Sequence, residues 1–139
     1  MISRVLVPMD NSEMAEKALE FACGAYPGAE LTVLTVVGTP SGLMGEAAGL
    51  ALSDDVPQAA EERAKPVFDR ARKIAAKHDV KIATALALGT PSRAIVERAE
   101  RFDIIVIGSH GRNLASRLLI GNVTETVTRR SPVPVTVVR

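Results

Sequence analysis

The sequence predicts an α/β fold built on a parallel β-sheet, and three observations support this. Five short runs of β-branched and aliphatic residues are distributed along the 139 residues, segments with helical periodicity separate them, and most of the runs are almost continuously apolar. Continuous apolar runs are typical of strands that are covered on both faces, as in parallel sheets. Strands that alternate with helices are joined by right-handed crossovers. The length predicts a single domain over residues 1–139.

The five predicted strands are rich in Val, Ile and Leu. They comprise residues 2–8, 31–37, 80–86, 103–108 and 133–138. The segment of residues 39–57, which follows the second strand, is long and rich in Gly, Ala and Ser. Segments of this length without a periodic pattern are usually functional or disordered. We expect either a surface or disordered loop or a lid over a ligand.

The first two predicted helices follow the first two strands. Asp10, Asn11 and Ser12 are each plausible N-caps for the first helix, because short polar side chains accept hydrogen bonds from the first free amides. The second helix is expected from about residue 58 to residue 77, with apolar residues at helical spacing and Lys and Arg opposite them. Its Glu-Glu-Arg sequence at residues 61–63 is interpreted as part of a solvated helix start.

The last two predicted helices have clearer boundary signals. Thr90-Pro91 predicts the start of the third helix, since a capping residue is followed by proline at the first helical position. The fourth helix is expected to start near Asn122 and to stop before Pro132. Together the elements predict the order β-α-β-α-β-α-β-α-β.

The composition argues against several classes of partner and site. Three Phe, one Tyr and no Trp provide no aromatic platform for nucleic acid, and a net charge of +1 with mixed signs indicates neither a nucleic-acid nor a membrane surface. Cys23 is the only cysteine, so we expect a buried structural thiol. With two separated histidines, no metal site is predicted. No signal peptide or spanning run of about 18 apolar residues is visible, so a cytoplasmic protein is expected.

Small and polar residues follow the first and fourth predicted strands. Residues 8–12 are Pro-Met-Asp-Asn-Ser, and residues 108–112 are Gly-Ser-His-Gly-Arg. In open parallel sheets, ligands bind beyond the carboxyl ends of the strands, where the strand order reverses. If the first strand is central and the fourth lies beside it, these two segments line one crevice.

Glycine spacing near the last helix predicts a phosphate site. Gly108, Gly111 and Gly121 form G-x2-G-x9-G, followed by Asn-Val-Thr at residues 122–124. Glycines allow close approach of phosphate oxygens and positive φ angles, and the free amides of a helix N-terminus bind anions. The alternative is three turn glycines with Asn122 as an ordinary N-cap, and the spacing alone does not decide between the two.

The chain resembles the universal stress protein family throughout, except for residues 39–57. The matching segments are residues 5–12 (VLVPMDNS), 89–92 (GTPS), 103–112 (DIIVIGSHGR), 118–125 (LLIGNVTE) and 132–135 (PVPV). The resemblance implies a three-layer, Rossmann-like sandwich, similar to the adenine-nucleotide alpha-hydrolase-like folds, whose five-stranded parallel sheet has the order 3-2-1-4-5. It also implies the ATP-binding branch of the family, which carries the same glycine spacing.

Twelve candidate binding residues follow from this resemblance. It places Pro8 and Asp10 near the adenosine, with Asp10 accepting from the ribose, and it places the backbone of Val36 near the adenine. The ribose and phosphate side would be lined by Ile107, Gly108, His110, Gly111 and Arg112, and the phosphates would be held by Gly121, Asn122, Val123 and Thr124. Asn122 departs from the family pattern, which has a hydroxyl residue there, and it could instead cap its own helix. Asp10 could likewise be only an N-cap, and His110 could be solvent-exposed.

The expected function is binding of ATP, or AMP or ADP, with Mg²⁺, as a nucleotide-dependent switch or interaction module in a stress response. The resemblance implies a homodimer through the final strand, from Val133 to Val138, which an apolar edge strand favours. No catalytic residue is predicted, so hydrolysis would be slow at best. The alternatives are a nucleotide-free dimeric scaffold and a true ATPase or phosphotransferase. A response-regulator receiver domain is disfavoured, because the third predicted strand ends in Leu-Ala-Leu-Gly without the required aspartate.

Overall fold

The computed structural model describes residues 1–38, 56–111 and 120–139. The strands are β1 (Arg4–Pro8), β2 (Glu30–Val37), β3 (Ile82–Leu88), β4 (Ile104–Gly108) and β5 (Val135–Val138). The helices are α1 (Glu13–Ala25), α2 (Val56–Lys77), α3 (Pro91–Ala99) and α4 (Asn122–Arg130). Residues 39–55 of the segment that was expected to be a loop or lid lie outside the described residues. Residues 56 and 57 belong to α2, which begins two residues before the predicted start near residue 58.

The described strands form one sheet with the order β3-β2-β1-β4-β5, and every pair is parallel. The predicted α/β class and the strand order 3-2-1-4-5 are therefore confirmed. The order reverses at β1, whose neighbours are β2 and β4. A crevice consequently opens beyond the carboxyl ends of β1 and β4, as in other sheets of this type.

The starts of β1 and β3 differ from the prediction because hydrogen bonds outside the sheet hold the flanking residues. The carboxylate of Asp103 accepts from the amides of Ser3 and Arg4 at 2.8 and 2.9 Å, and β1 begins only at Arg4. The amide of Val80 donates to the carbonyl of Ala75 at 2.9 Å and closes the end of α2. Val80 therefore belongs to the helix termination, so β3 starts at residue 82 instead of residue 80.

Helix starts agree with the capping signals in the sequence. Ser12 is the N-cap of α1, and its hydroxyl oxygen accepts from the amide of Ala15 at 3.2 Å. Of the three candidate caps, Ser12 therefore has the role. Proline stands at the first position of α3, after Thr90 as N-cap, where its missing donor is not needed.

Two apolar clusters cover the two faces of the sheet and make three layers. On one face, Leu19 of α1 and Ile74 of α2 pack against strand residues such as Val5. On the other, Ile95 of α3 and Val127 of α4 form part of the cluster around the central strands. Cys23 is buried in the first cluster, as predicted. Within the described residues, no helix has the length and apolarity that crossing a membrane requires.

Candidate functional site

A cavity of about 200 Å³ opens beyond the carboxyl ends of the central strands. It lies where β1 and β4 end, with α3, α4 and the start of α1 at its sides. Its lining consists of Pro8, Met9, Asp10, Ser12, Ala15, Leu34, Val36, Pro91, Ile95, Ile107, Gly108, His110, Gly111, Gly121, Val123 and Thr124.

One side of this cavity is apolar. Leu34 and Val36 alternate on β2 and therefore point to the same face of the sheet, and Ile107 lies on that face in β4. Pro91 and Ile95 add the first turn of α3, four residues apart on one helical face. Such a surface suits a flat apolar group, with polar groups at its open end.

Several of these lining residues, including Leu34, Pro91 and Ile95, are not among the predicted binding residues. The period of two along a strand relates Leu34 to the predicted Val36. Pro91 is recognisable as the proline at the start of the helix after β3, and Ile95 follows one helical turn later. These signals existed, but only the strand order shows that β2 and α3 reach the same cavity as β1 and β4.

Asp10 is held at the mouth of the cavity by a local hydrogen bond. Its Oδ1 accepts from the amide of Ser12 at 2.9 Å. Its Oδ2 faces Gly111, where a Cβ atom would be 2.8 Å away. The alternative that Asp10 merely caps α1 is wrong, since Ser12 is the cap. The exposed carboxylate therefore leaves Oδ2 as an acceptor at the cavity mouth.

Gly108 and Gly121 of the motif allow close approach of backbone segments, and the expected positive φ angles are absent from all three glycines. Gly28 and Gly89 are the described glycines with positive φ, and Gly121 has φ −66°. At Gly108 a Cβ would lie 2.9 Å from the carbonyl oxygen of Met14 in α1. At Gly121 it would lie 3.2 Å from the Cα of His110. These glycines bring β4, α1 and the start of α4 together.

The N-terminus of α4 faces the cavity without a capping side chain. Gly121 is the N-cap, and no side chain provides a capping hydrogen bond. Asn122 is the first helical residue, so the alternative that it caps its own helix is wrong. The first amides of a helix have no intrahelical acceptor. Those of residues 122–124 therefore present hydrogen-bond donors and the positive end of the helix dipole.

Two hydrogen bonds fix this helix start to β4. The amide of Gly121 donates to the carbonyl of Ser109 at 2.7 Å, and the hydroxyl of Thr124 donates to the carbonyl of Gly108 at 2.7 Å. The Thr124 proton is thus engaged in the structure, which leaves its hydroxyl oxygen and backbone amide facing the site. The α4 terminus is consequently positioned before any ligand binds.

His110 is half-buried and lines the cavity, which answers the alternative of a solvent-exposed ring. Its Nδ1 lies 3.1 Å from the hydroxyl oxygen of Ser109, which is itself buried. This contact orients the ring. The histidine tautomer determines whether Nδ1 or the serine hydroxyl is the donor.

A second, more open cavity of about 640 Å³ adjoins the first. The two share four residues of their walls: Asp10, Val36, Gly111 and Val123. The second cavity is further lined by Asn11, Thr35, Val37, Gly38, Arg63, Val67 and Asn122. Thr35 is committed to the fold, because its hydroxyl donates to the carbonyl of Met9 at 3.2 Å.

The structure thus brings ten of the twelve predicted residues to the first cavity. These are Pro8, Asp10, Val36, Ile107, Gly108, His110, Gly111, Gly121, Val123 and Thr124. Asn122 is exposed and lines the second cavity instead. Arg112 lies outside the described residues. In the described part of the chain, no three His, Cys, Asp or Glu side chains cluster as metal ligands would.

Comparison with protein families gives a match over the full length. The model of the universal stress protein family matches residues 1–139. Universal stress protein YxiE of Bacillus subtilis is 30% identical over 148 residues, which cover 100% of each chain. Universal stress protein MJ0577 of Methanocaldococcus jannaschii is 31% identical over 155 residues, covering 100% of this chain and 96% of the relative.

Solved structures show the same fold. The structure of MJ0577 superimposes with a TM-score of 0.82 at 30% identity, covering 99% of this chain and 96% of that one. A universal stress protein from Archaeoglobus fulgidus, solved in complex with dAMP, superimposes with a TM-score of 0.66 at 23% identity. That match covers 100% of this chain and 98% of the other, and at this identity it is a similarity of fold.

Proposed function

Because the chain belongs to the universal stress protein family, we propose that it binds ATP with Mg²⁺ in the cavity beyond β1 and β4. One observation carries the proposal: an apolar cavity meets an uncapped helix N-terminus, with the carboxylate of Asp10 at the junction. The apolar cavity suits adenine, the helix N-terminus suits phosphate, and the carboxylate suits the ribose hydroxyls. The three features are arranged so that one nucleotide can contact them all. The fold of this family also accommodates dAMP in the relative from Archaeoglobus fulgidus.

The adenosine moiety belongs in the smaller cavity. The adenine would stack on the apolar surface that Val36, Ile95 and Ile107 provide, where burial of a flat ring is favourable. Hydrogen bonds from the ribose hydroxyls would go to Oδ2 of Asp10, whose other oxygen is already engaged by Ser12. A charged acceptor of this kind strengthens a hydrogen bond relative to a neutral one.

The phosphates belong at the N-terminus of α4. Backbone amides of residues 122–124 donate to phosphate oxygens, and the helix dipole adds favourable potential. Gly111 and Gly121 leave room for this approach, with Pro8, Gly108, His110 and Arg112 completing the proposed site. Mg²⁺ would be held by phosphate oxygens and water, the ligands it prefers, since the described residues contain no carboxylate cluster for it.

The proposed role is a nucleotide-dependent switch or interaction module in a cytoplasmic stress response. Phosphoryl transfer requires a positioned nucleophile and stabilisation of the transferring group, and the sequence indicates no residue for either role. Hydrolysis would therefore be slow. A homodimer paired through β5 would complete the module, and the single buried thiol suits a reducing compartment.

One rival function is supported by a specific residue. Asn122 stands where the ATP-binding branch has a hydroxyl residue, which favours a nucleotide-free dimeric scaffold. Mass spectrometry of small molecules released by heating the purified protein separates the two. Recovery of an adenine nucleotide near one equivalent supports the site. The Asn122→Ser variant should bind ATP at least as well as the native chain.

Calorimetry with Mg-ATP tests the proposal directly. The expected dissociation constant is on the order of micromolar, about −8 kcal/mol. Gly111→Val should abolish binding, because its side chain enters the space beside Asp10. Gly24→Ala is the matched control, since a Cβ there contacts nothing within 4 Å. Equal affinity in both variants would contradict the site. A turnover assay on the same samples distinguishes a true ATPase.

A further inference from the structure

Arg63 is a charged residue of the second cavity that the proposed site does not use. It lies on α2, which covers the sheet face opposite α3 and α4. Among the described residues around the two cavities, Arg63 is the only lysine or arginine. Asn11 and Asn122 lie on the same open cavity and contribute amide groups. The sequence alone indicated only a solvated helix start at this position.

Arg63 also has no carboxylate partner among the described residues, unlike four of the other helical arginines. Arg70, Arg72, Arg93 and Arg129 each lie within 4.0 Å of a carboxylate oxygen. Arg63 forms no ion pair or hydrogen bond with any residue that the structure describes. The positions three and four residues away along α2 are uncharged, being Ala59, Ala60, Pro66 and Val67. The neighbours one helical turn away on α2 therefore provide no counter-charge.

We infer that Arg63 is a phosphate-binding residue and that the open cavity is a phosphate subsite. This inference rests on the proposed function. The walls that the two cavities share include Asp10, Gly111 and Val123, so a ligand whose adenosine fills the small cavity continues into the open one at these residues. Guanidinium groups bind phosphate through two parallel hydrogen bonds. Asn11 and Asn122 would donate to the remaining oxygens.

The alternative is that Arg63 simply balances the charge of Asp10, the carboxylate on the same cavity. The two side chains are not within ion-pair distance in the structure, and Asp10 is engaged with Ser12 instead. A charge-balancing role predicts that loss of Arg63 changes the binding of every adenosine compound similarly. A phosphate subsite predicts that the effect depends on the number and position of the phosphates.

The phosphate could come from either of two parts of the ligand. One source is the 5′-polyphosphate, which passes the N-terminus of α4 and continues towards Asn122 and Arg63. The other is a phosphate on the ribose, whose hydroxyl edge is oriented by Asp10 on the boundary between the cavities. Adenosine, AMP, ATP and adenosine 3′,5′-bisphosphate distinguish these sources when they are titrated into the same protein.

The experiment measures the affinity of these four ligands for the native chain, Arg63→Ala and Lys65→Ala. Lys65 is the matched control, an exposed cation two residues along α2 that lines neither cavity. Arg63→Ala should weaken one phosphate ligand by at least about tenfold, the change that corresponds to ~1.4 kcal/mol, with adenosine unchanged. Selective loss for ATP identifies the 5′-chain, and selective loss for the bisphosphate identifies the ribose edge. Lys65→Ala should bind all four as the native chain does.

Three results would overturn the inference. They are equal affinities of the two variants for every ligand, an equal loss for adenosine and its phosphates in Arg63→Ala, and no binding of any ligand by the native chain. The last result refutes the proposed function as well, whereas the first two leave adenine-nucleotide binding intact. Sodium chloride should weaken the affected ligand more in the native chain than in Arg63→Ala, because salt screens the lost charge interaction.

Discussion

At the residue scale, Asp10 and Ser12 have separate roles although they are two positions apart. Ser12 caps α1, and Asp10 presents Oδ2 at the cavity. Ser12→Ala should lower the free energy of unfolding by about 1 kcal/mol through loss of the cap. Asp10→Asn keeps an oxygen for the Ser12 amide and removes the charge, so it should weaken ATP by about 1–3 kcal/mol. Melting and calorimetry on the same samples test both. A stability loss in Asp10→Asn without loss of affinity would contradict the ribose assignment.

Asp103 provides the second prediction at this scale. Hydrogen bonds from the amides of Ser3 and Arg4 lower the pKa of its carboxyl. A carboxyl whose pKa is lower in the folded state stabilises the fold above its unfolded pKa of about 3.9, and the stabilisation is lost as pH falls through the folded pKa. Asp103→Asn should therefore reduce stability at neutral pH and flatten its decline below about pH 4.

Denaturant titrations over a pH series measure this effect. Asp69→Asn is a suitable control, because Asp69 is exposed and, among the described residues, pairs only with Arg72, at 3.4 Å. The control should retain the native dependence on pH, since exposed ion pairs contribute little. If the stability of Asp103→Asn depended on pH as that of the native chain does, the hydrogen bonds from Ser3 and Arg4 to Asp103 would not stabilise the fold.

At the element scale, the contact between β4 and α1 depends on Gly108. A Cβ at this position would lie 2.8 Å from Cγ of Met14 and 2.9 Å from its carbonyl oxygen, and the backbone of a helix cannot move away easily. Gly108→Ala should destabilise the protein by about 1–3 kcal/mol, because the core becomes overpacked. Chemical denaturation measures the change. Gly24→Ala should instead be neutral or stabilising, since this helical glycine has open space around it.

The comparison of Gly108 with Gly111 separates stability from binding. At Gly111 the clashing atom is the end of the flexible Asp10 side chain, so a substitution there can be accommodated by moving that side chain. We expect Gly111→Val to fold and to lose nucleotide, as proposed above. If Gly111→Val unfolded as readily as Gly108→Ala, the segment after β4 would have the structural role and the assignment to the phosphates would fail.

At the scale of the whole molecule, β5 is an edge strand with an available side. The carbonyl of Pro134 accepts a hydrogen bond from the amide of Ile105, and the carbonyl of Val138 accepts one from the amide of Ser109. The backbone groups of every second residue of β5 therefore face β4. The backbone groups of Val135 and Val137 then point away from the sheet. Pro134 is therefore turned inward and does not block pairing at the outer side. An edge of this kind invites a second copy related by a two-fold axis.

The dimer is the prediction that belongs to this scale. Light scattering should report about twice the 14.7 kDa mass of the chain. Val137→Pro removes an outward donor without breaking the ladder to β4, so it should give a folded monomer. Thr136→Pro removes a donor that faces β4 and should destabilise the protein itself. Aspartate at Val135 or Val137 is a less suitable test, because both side chains pack on the core. A native chain that stays monomeric at high micromolar concentration would refute the dimer.

Much of the fold was predictable because its signals are local. Ser12 and Pro91 mark helix starts by capping chemistry. Four of the five strands end at the predicted residue, and all five start within two residues of the prediction. The start of β3 at residue 82 was not predictable from local pattern, since the amide of Val80 closes α2 through a backbone hydrogen bond that depends on the turn at Asp79, with φ 55°. The strand order came from the family resemblance, because no local pattern encodes which strands are neighbours.

The sequence by itself determined the alternation of helices and strands, the parallel sheet and the residues that follow β1 and β4. Periodicity and capping act over a few residues, so they can be recognised without a structure. Only the tertiary structure decided that Leu34 and Ile95 join the cavity, that Gly108 serves the packing of α1, and that Arg63 faces the open cavity. These depend on contacts between elements far apart in the chain, and such contacts are fixed when the layers pack on the sheet.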